Sequence, residues 1–361
     1  MPSTSRYLNY TPWGGQLNNT RMCFEVALVL AVLSSRTLVI PPDYRWRNEP
    51  EFVDGRYRPL HPAEFLEFET ITRALTVITH DEYLAMTDPE SRADSAELIF
   101  TPGSCVFCHP HIPRPDSLEA SRLVDFAAGR TQFLELTPEM QDRTVLNVQA
   151  PTLETFYTFF FFSSQADEFA CRRFIRDYVR FKPAILTLGG GLAASLGSFS
   201  ALHIRRNDFF WQFPEQDLPA RAILNRLPAH LRTQLYIASD EPNRQLLAPL
   251  REHFEIRFLE DLTGSGSVTA GLPSDWLACV EQVICAQARE FVGTRLSTFS
   301  GYITRLRGYQ QADDLGFYFT DGPPGGELDL EGAHTYSWNN WLRCGYPLWG
   351  REFREGWECG A

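Results

Sequence analysis

The chain has 361 residues and a mass of 41.2 kDa, more than one hydrophobic core usually supports, so two domains are expected. Hydrophobic residues make up 44% and charged residues 22%, values typical of globular proteins that exclude a disordered or fibrous chain. The net charge of −12 argues against a general nucleic-acid-binding protein, because phosphate contacts need a basic surface.

Two features of the sequence bear on membranes and the cell compartment. We find no run of the roughly 20 apolar residues that a membrane span needs, and interpret the longest candidate, Val26 to Leu33, as a buried helix. The first ten residues show no apolar segment of a secretory signal, which favours a soluble intracellular protein. If a leader has been removed, the secretory pathway is equally compatible.

One pair of cysteines has the spacing of a known motif. Cys105 and Cys108, followed by His109, match the C-x-x-C-H pattern of haem attachment, and His111 would allow a zinc site with ligands from elsewhere. A single copy of the pattern favours neither cofactor. We interpret the segment as a loop with free or bridged thiols.

The first part of the chain predicts a strand–helix–strand unit. A strand over 6–10 precedes a turn, a helix that Asn18 or Asn19 caps, and a second strand over 36–40. Such a unit is right-handed and starts a parallel sheet. Residues 43–145 are less regular, with many prolines, and predict mixed loops.

The second part of the chain predicts a second sheet. A helix over 165–181 precedes another that Pro183 opens, and Gly189 to Gly191 is interpreted as a helix break or linker. Strands are then predicted over 199–204, 234–238, 256–259 and 290–293, with helices over 220–227 and 276–288.

This alternation predicts an α/β fold of two doubly wound domains. The first domain is expected over residues 1–195 and the second over 196–330. We expect a tail over 331–361 to pack back on the first domain.

A basic cluster follows the first strand of the second domain. Because strand residues alternate between faces, His203 and Arg205 are expected on one side, as a clamp for a pyrophosphate. Arg206 is expected on the other side, as an internal partner of Asp208. The alternative is an exposed basic strand end with a core histidine.

A hydroxyl-rich turn follows the strand that ends at Gly293. We expect Ser297, Thr298 and Ser300 to lie before a helix that starts near Gly301 or Tyr302, where their hydroxyls and the helix N–H groups would cradle an anion. A plain capping function is the alternative. Neither cluster contains G-x-G-x-x-G or a Walker motif, so a nucleotide would be held differently.

These two clusters carry a resemblance to a known family. The sequence H-x-R-R-x-D at 203–208, followed by S-T-F-S at 297–300, resembles the GT-B protein O-fucosyltransferases. The opening stretch 14–21 is more similar to the plant branch of the same superfamily. Similarity is patchy over 45–195 and is not recognised after about residue 310.

The resemblance implies a GT-B fold, with two Rossmann-like domains that face each other across a central cleft and a sugar nucleotide on the C-terminal one. It implies that Arg205 contacts the β-phosphate of GDP-fucose and that His203 supports the pyrophosphate. Glu281 falls where the family has an aspartate that reads the guanine edge. The other implied donor-binding residues are Ser297, Thr298, Phe299, Gly15, Asn18 and Asn19.

The general base is the open part of the expected mechanism. The stretch Gly14-Gly15-Gln16 has no carboxylate where one family member supplies a glutamate. The resemblance therefore assigns Asn18 as the catalytic residue that orients donor and acceptor, and Asp43 is the alternative base. An ordinary turn aspartate also explains Asp43.

The expected activity is an inverting transfer of fucose from GDP-fucose to a hydroxyl of a protein Ser/Thr or a glycan. No metal or other cofactor is expected, because Arg205 would neutralise the leaving diphosphate and the sequence has no D-x-D cluster. Two alternatives stay open: another nucleotide sugar, such as a rhamnose donor, or a non-catalytic protein that binds GDP-sugar or glycan.

Overall fold

The computed structural model describes residues 5–12, 17–42, 61–98, 137–149, 165–207, 209, 217–264, 269, 271–294, 297–310 and 317–318. The chain divides into two compact units between Arg180 and Phe181, earlier than the boundary at residue 195 that the sequence suggested. The C-x-x-C-H segment and the tail over 331–361 lie outside the described residues.

The first unit contains a five-stranded parallel sheet with the order β3-β2-β1-β5-β4. Its strands are β1 (Tyr7–Tyr10), β2 (Thr37–Ile40), β3 (Val77–Thr79), β4 (Ser95–Leu98) and β5 (Val145–Val148). Its helices are α1 (Leu17–Ser34), α2 (Phe68–Thr72), α3 (His80–Met86), α4 (Pro89–Ala93), α5 (Pro138–Asp142) and α6 (Gln165–Tyr178), with a 3₁₀ turn at Pro62–Glu64. The predicted strand–helix–strand unit at the start of the chain is confirmed.

Helix α1 is the central helix of this unit. Among the described helices it is the one long and apolar enough to cross a membrane, yet 83% of it is buried inside the protein, as in a core helix. Its charged residues are paired, since Arg21 Nε lies 2.8 Å from Glu25 Oε1 one turn away. This pairing offsets part of the cost of burying both charges.

The second unit contains a second parallel sheet, with the order β10-β9-β6-β7-β8. Its strands are β6 (Ser200–Ile204), β7 (Gln234–Ser239), β8 (Glu255–Arg257), β9 (Glu290–Gly293) and β10 (Phe317–Tyr318). Its helices are α7 (Pro183–Leu196), α8 (Ala220–Leu224), α9 (Leu259–Thr263), α10 (Ser274–Gln287) and α11 (Thr298–Tyr309), with a 3₁₀ helix at Arg244–Glu252. The two sheets confirm the predicted α/β class.

The order of the second sheet defines where a ligand is expected. The chain runs from β6 outward through β7 and β8, and then crosses to β9 on the other side of β6. Open α/β sheets bind ligands at such a switch point, outside the carboxyl ends of the strands. In this unit the switch point lies between β6 and β9.

The prediction of a helix break at three glycines is wrong. Gly189, Gly190 and Gly191 lie inside α7, which packs against α10. A Cβ atom on Gly189 would lie 2.6 Å from the Cβ of Val283 in α10. Glycine is therefore used here for the close approach of two helices, and the helix continues because packing outweighs its low propensity.

Candidate functional site

The two clusters singled out in the sequence meet at the switch point of the second sheet. Thr294, directly after β9, connects them through its hydroxyl oxygen. Thr294 Oγ1 accepts a hydrogen bond from the backbone N–H of Arg205 (2.9 Å) and donates one to the carbonyl oxygen of His203 (2.9 Å). The end of β6 is thus fixed to the turn that precedes α11.

His203 is buried in this junction. Its Nδ1 lies 2.7 Å from Ser300 Oγ, and its ring stacks on the ring of Phe299 with a centroid distance of 4.5 Å. Burial, and then the nearby positive charge of Arg205, lower the pKa of His203 to about 3. His203 is therefore neutral at physiological pH.

The end of β9 and the start of α11 are in tight contact. A Cβ atom on Gly293 would lie 2.7 Å from Ser300 Oγ, so a larger residue would displace this serine. Ser300 Oγ also accepts the backbone N–H of Thr294 at 2.9 Å. The glycine that ends the strand therefore permits the contact between the turn and His203.

Helix α11 begins earlier than the sequence suggested. It starts at Thr298, not near Gly301 or Tyr302, and Ser297 is its N-cap residue. The Ser297 side chain makes no capping hydrogen bond, while its carbonyl accepts the N–H of Gly301 at 3.0 Å. The hydroxyl residues were expected outside the helix because they favour caps, but Thr298 and Ser300 lie in its first turn.

Helix α11 is also anchored at its other end. The guanidinium of Arg307, a fully buried residue, donates to the carbonyl oxygens of Ala286 (3.2 Å) and Arg289 (2.9 Å). A further bond goes to the carbonyl of Ala288. These carbonyls lie at and just beyond the end of α10, so Arg307 connects the two helices.

Arg205 lies at the same junction and is held by a neighbouring strand. Its Nη1 forms an ion pair with Asp240 Oδ2 and donates to the carbonyl of Arg206 at 3.1 Å. Its side chain is only 15% exposed, so it is not directed into bulk solvent. Asp240 was missed in the sequence, although it follows β7 directly, and residues in that position point to a ligand site.

Arg206 has an internal function, as predicted, although it lies two residues after the end of β6, where the alternation of strand residues no longer applies. Its guanidinium contacts Asp217 Oδ1 at 3.2 Å and Glu241 Oε2 at 3.7 Å. It also donates to the carbonyl of Leu218 at 2.7 Å. Asp208, its expected partner, lies outside the described residues.

Glu281 lies in the middle of α10, against the second sheet. The hydroxyl of Tyr236 in β7 donates to Glu281 Oε1 at 3.1 Å. Desolvation raises the pKa of Glu281 to about 7, against the lowering effects of the Tyr236 hydrogen bond and the Arg244 charge. Glu260 adds to the increase. The sequence did not indicate Tyr236, whose contact with α10 depends on how the helix packs.

The remaining predicted site residues belong to the first unit. Asn18 and Asn19 are the second and third residues of α1, and Asn18 is only 6% exposed. Gly15 and Asp43 lie outside the described residues. Within the described part of the chain, no group of three His, Cys, Asp or Glu side chains is arranged to hold a metal ion.

Each unit contains a parallel α/β sheet, as in the Rossmann-like domains of the GT-B fold. The structure is similar to a crystal structure of POFUT1 in complex with GDP-fucose, with a TM-score of 0.50, over 88% of this chain and 99% of that chain. The sequence identity of the two is 15%, so this similarity concerns the fold.

The chain belongs to the GDP-fucose protein O-fucosyltransferase family, whose model matches residues 7–310. It is 31% identical over 138 residues to human GDP-fucose protein O-fucosyltransferase 2, a match that covers 35% of this chain and 28% of the human protein. The Drosophila melanogaster protein of the same name is 28% identical over 125 residues, which cover 34% of this chain and 24% of that protein.

Proposed function

We propose that this protein transfers fucose from GDP-fucose to a hydroxyl group of a protein Ser/Thr or a glycan, with inversion and without a metal ion. The proposal rests on one observation: Arg205, His203 and the start of α11 meet at the switch point of the second sheet. Family membership and the names of the relatives support fucose as the transferred sugar and GDP-fucose as the donor.

The diphosphate of the donor would bind between Arg205 and α11. The first N–H groups of a helix have no acceptor within the helix, so those of Thr298 and Phe299 suit an anion. An arginine adds a charge that is kept at every physiological pH and donates to two oxygens at once. Asp240 fixes the orientation of the Arg205 guanidinium before a ligand binds.

The same groups would accelerate the reaction. As the bond between fucose and diphosphate breaks, negative charge grows on the leaving phosphate, and Arg205 and the helix N–H groups interact with it more strongly than with the ground state. The acceptor hydroxyl attacks the opposite face of the anomeric carbon, which inverts its configuration, and its proton passes to a general base, for which Asp43 is the candidate. In this mechanism the charge that a metal would supply comes from the protein.

We expect Glu281 to bind the guanine base of the donor. Its carboxylate can accept the two N–H groups on the guanine edge, and Tyr236 holds one of its oxygens. Glutamate is one methylene longer than the aspartate of the family, so the site could bind a nucleobase other than guanine. The rival proposal within the same class of enzyme is therefore another nucleotide sugar, such as a rhamnose donor.

We expect residues of the first unit to bind the acceptor. Asn18 would orient the acceptor and donor without taking up a full proton, and Asp43 is the alternative base. The lack of a carboxylate in Gly14-Gly15-Gln16 favours a second candidate function, a protein that binds GDP-sugar or glycan without turnover.

Substitution of Arg205 tests the proposal. Arg205→Ala is expected to lower fucose transfer and GDP-fucose hydrolysis by roughly 100- to 1,000-fold, the usual effect of removing one group that stabilises developing charge. The control is Arg221→Ala, because Arg221 is a surface arginine of the same unit, 69% exposed and paired with Glu252. Near wild-type activity of Arg205→Ala would refute the mechanism.

The donor is tested by comparing thermal unfolding in GDP and in UDP. A ligand that binds only the folded state stabilises it in proportion to its affinity, so GDP should raise the melting temperature more than UDP does. A larger effect of UDP would favour another donor. Stabilisation by GDP without turnover on any acceptor would favour the non-catalytic candidate.

A further inference from the structure

Ser300 is a residue to which the family resemblance assigned no separate function. It is the third residue of α11 and has no exposed surface. Its position leaves no room for a side chain on Gly293, since a Cβ atom there would lie 2.7 Å from Ser300 Oγ. The hydroxyl of Ser300 is therefore fixed against the end of β9, and not presented to a ligand as the sequence suggested.

The hydroxyl of Ser300 makes two hydrogen bonds with different partners. Its oxygen accepts the N–H of Thr294 at 2.9 Å and lies 2.7 Å from Nδ1 of His203. A serine hydroxyl has one proton to donate, and a buried hydroxyl needs an acceptor for it. Among the described residues, His203 Nδ1 is the acceptor within hydrogen-bond distance, so the proton of Ser300 is directed at this nitrogen.

This hydrogen bond determines where the proton of the imidazole lies. His203 is buried and neutral, and a neutral imidazole carries one N–H. Since Nδ1 accepts from Ser300, the proton of the ring is on Nε2. The stacking of the ring on Phe299, with an interplanar angle of 25°, fixes the ring plane as well.

We propose that Ser300 is a positioning residue that holds His203 in the Nε2–H tautomer, so that His203 donates a hydrogen bond to the diphosphate of the donor. The second half of this statement rests on the proposed function. The first half depends only on the hydrogen bonds of the ligand-free protein.

Thr294 has a complementary function in the same junction. Its hydroxyl bonds to backbone groups of His203 and Arg205, whereas the hydroxyl of Ser300 bonds to the ring of His203. Loss of the Ser300 hydroxyl should therefore change the tautomer of His203 while β6 stays in place.

The test begins with the wild-type protein. Long-range proton–nitrogen NMR spectra of ¹⁵N-labelled protein at pH 7 distinguish the two neutral tautomers of histidine, and His203→Gln identifies the signals of His203. We expect His203 as the Nε2–H tautomer. An Nδ1–H tautomer of His203 in the wild-type protein would overturn the proposal.

The second step compares Ser300→Ala with Thr304→Val. Thr304 lies one turn further along α11, is also buried, and its hydroxyl donates to the carbonyl of Ser300. Thr304→Val therefore measures the effect of removing a buried hydroxyl from this helix. Ser300→Ala should convert His203 to a mixture of tautomers and weaken GDP binding, measured by calorimetry, about tenfold. Thr304→Val should keep the tautomer and bind GDP within about twofold of the wild type.

Three further outcomes are decisive. If Ser300→Ala keeps both the Nε2–H tautomer and the wild-type affinity for GDP, Ser300 does not position His203. If the tautomer changes but the affinity does not, His203 does not donate to the diphosphate. If the wild-type protein shows the Nε2–H tautomer but binds no GDP, the proposed function fails and the assignment of the tautomer stands.

Discussion

The surroundings of the Glu281 carboxyl group make the stability of the folded protein depend on pH. Its pKa of about 7 in the folded protein lies above the ordinary value of 4.5, mainly because burial disfavours the charged form. The folded state therefore holds a proton that the unfolded state releases. The resulting contribution to stability is fully present below pH 4.5 and is lost as the pH rises to about 7.

Glu281→Gln should remove this pH dependence. Between pH 5 and pH 8, the free energy of unfolding of the wild-type protein should fall relative to that of Glu281→Gln, because the amide does not titrate. Urea unfolding at both pH values measures the difference. Glu252→Gln, at an exposed glutamate of the same unit, is the control, and equal pH profiles of wild type and Glu281→Gln would contradict the prediction.

At the scale of single residues, the sequence predicted which residues belong to the site better than it predicted which residues contact one another. His203 and Arg205 were recognisable because they lie at the end of β6, His203 inside the strand and Arg205 directly after it. Asp240 and Tyr236 were not recognised, since their partners lie 35 and 45 positions away in the chain and meet them only through packing. Ser300 was recognised, but its hydroxyl bonds to the protein instead of facing a ligand.

At the scale of helices and strands, α7 shows why local pattern reading fails at glycines. A run of three glycines predicts a break, because each weakens a helix by about 1 kcal/mol relative to alanine. The contact of Gly189 with Val283 provides a packing reason that the sequence does not show. The early start of α11 has a similar cause, because Ser300, a residue type that favours caps, is held inside the helix by hydrogen bonds to Thr294 and His203.

Two alanine substitutions in α7 should have opposite effects. Gly189→Ala should destabilise the protein by about 1–2 kcal/mol, because the new methyl group overlaps with Val283 and outweighs the gain in helix propensity. Gly191→Ala, with nothing within 4 Å of its new Cβ, should stabilise it by up to about 1 kcal/mol. Chemical denaturation measures both, and a stabilising Gly189→Ala would show that the helices separate easily.

At the scale of the whole molecule, the alternation of strands and helices was sufficient to predict two parallel sheets, and the two motifs were sufficient to indicate the family. The boundary between the two compact units was harder to predict from the sequence. Helix α7 belongs to the second compact unit because it packs against α10, a contact between segments about 90 residues apart.

Binding of GDP should be visible as local protection within the second unit. Hydrogen exchange is expected to slow in the amides of 200–206, 294 and 297–304, around the junction of β6, β9 and α11, because a bound ligand suppresses their local opening. The same measurement with UDP is the control for base recognition. Protection confined to β1–β5 would place the nucleotide in the first unit and contradict the assigned site.

The two anchors of α11 have a consequence for how the site works. Ser300 secures its first turn to β9, and Arg307 secures its last turn to the segment that ends α10. A helix fastened at both extremities resists tilting, so its dipole points in one direction before any anion arrives. The entropy cost of ordering this helix is then incurred during folding, so that binding of a ligand requires little further rearrangement.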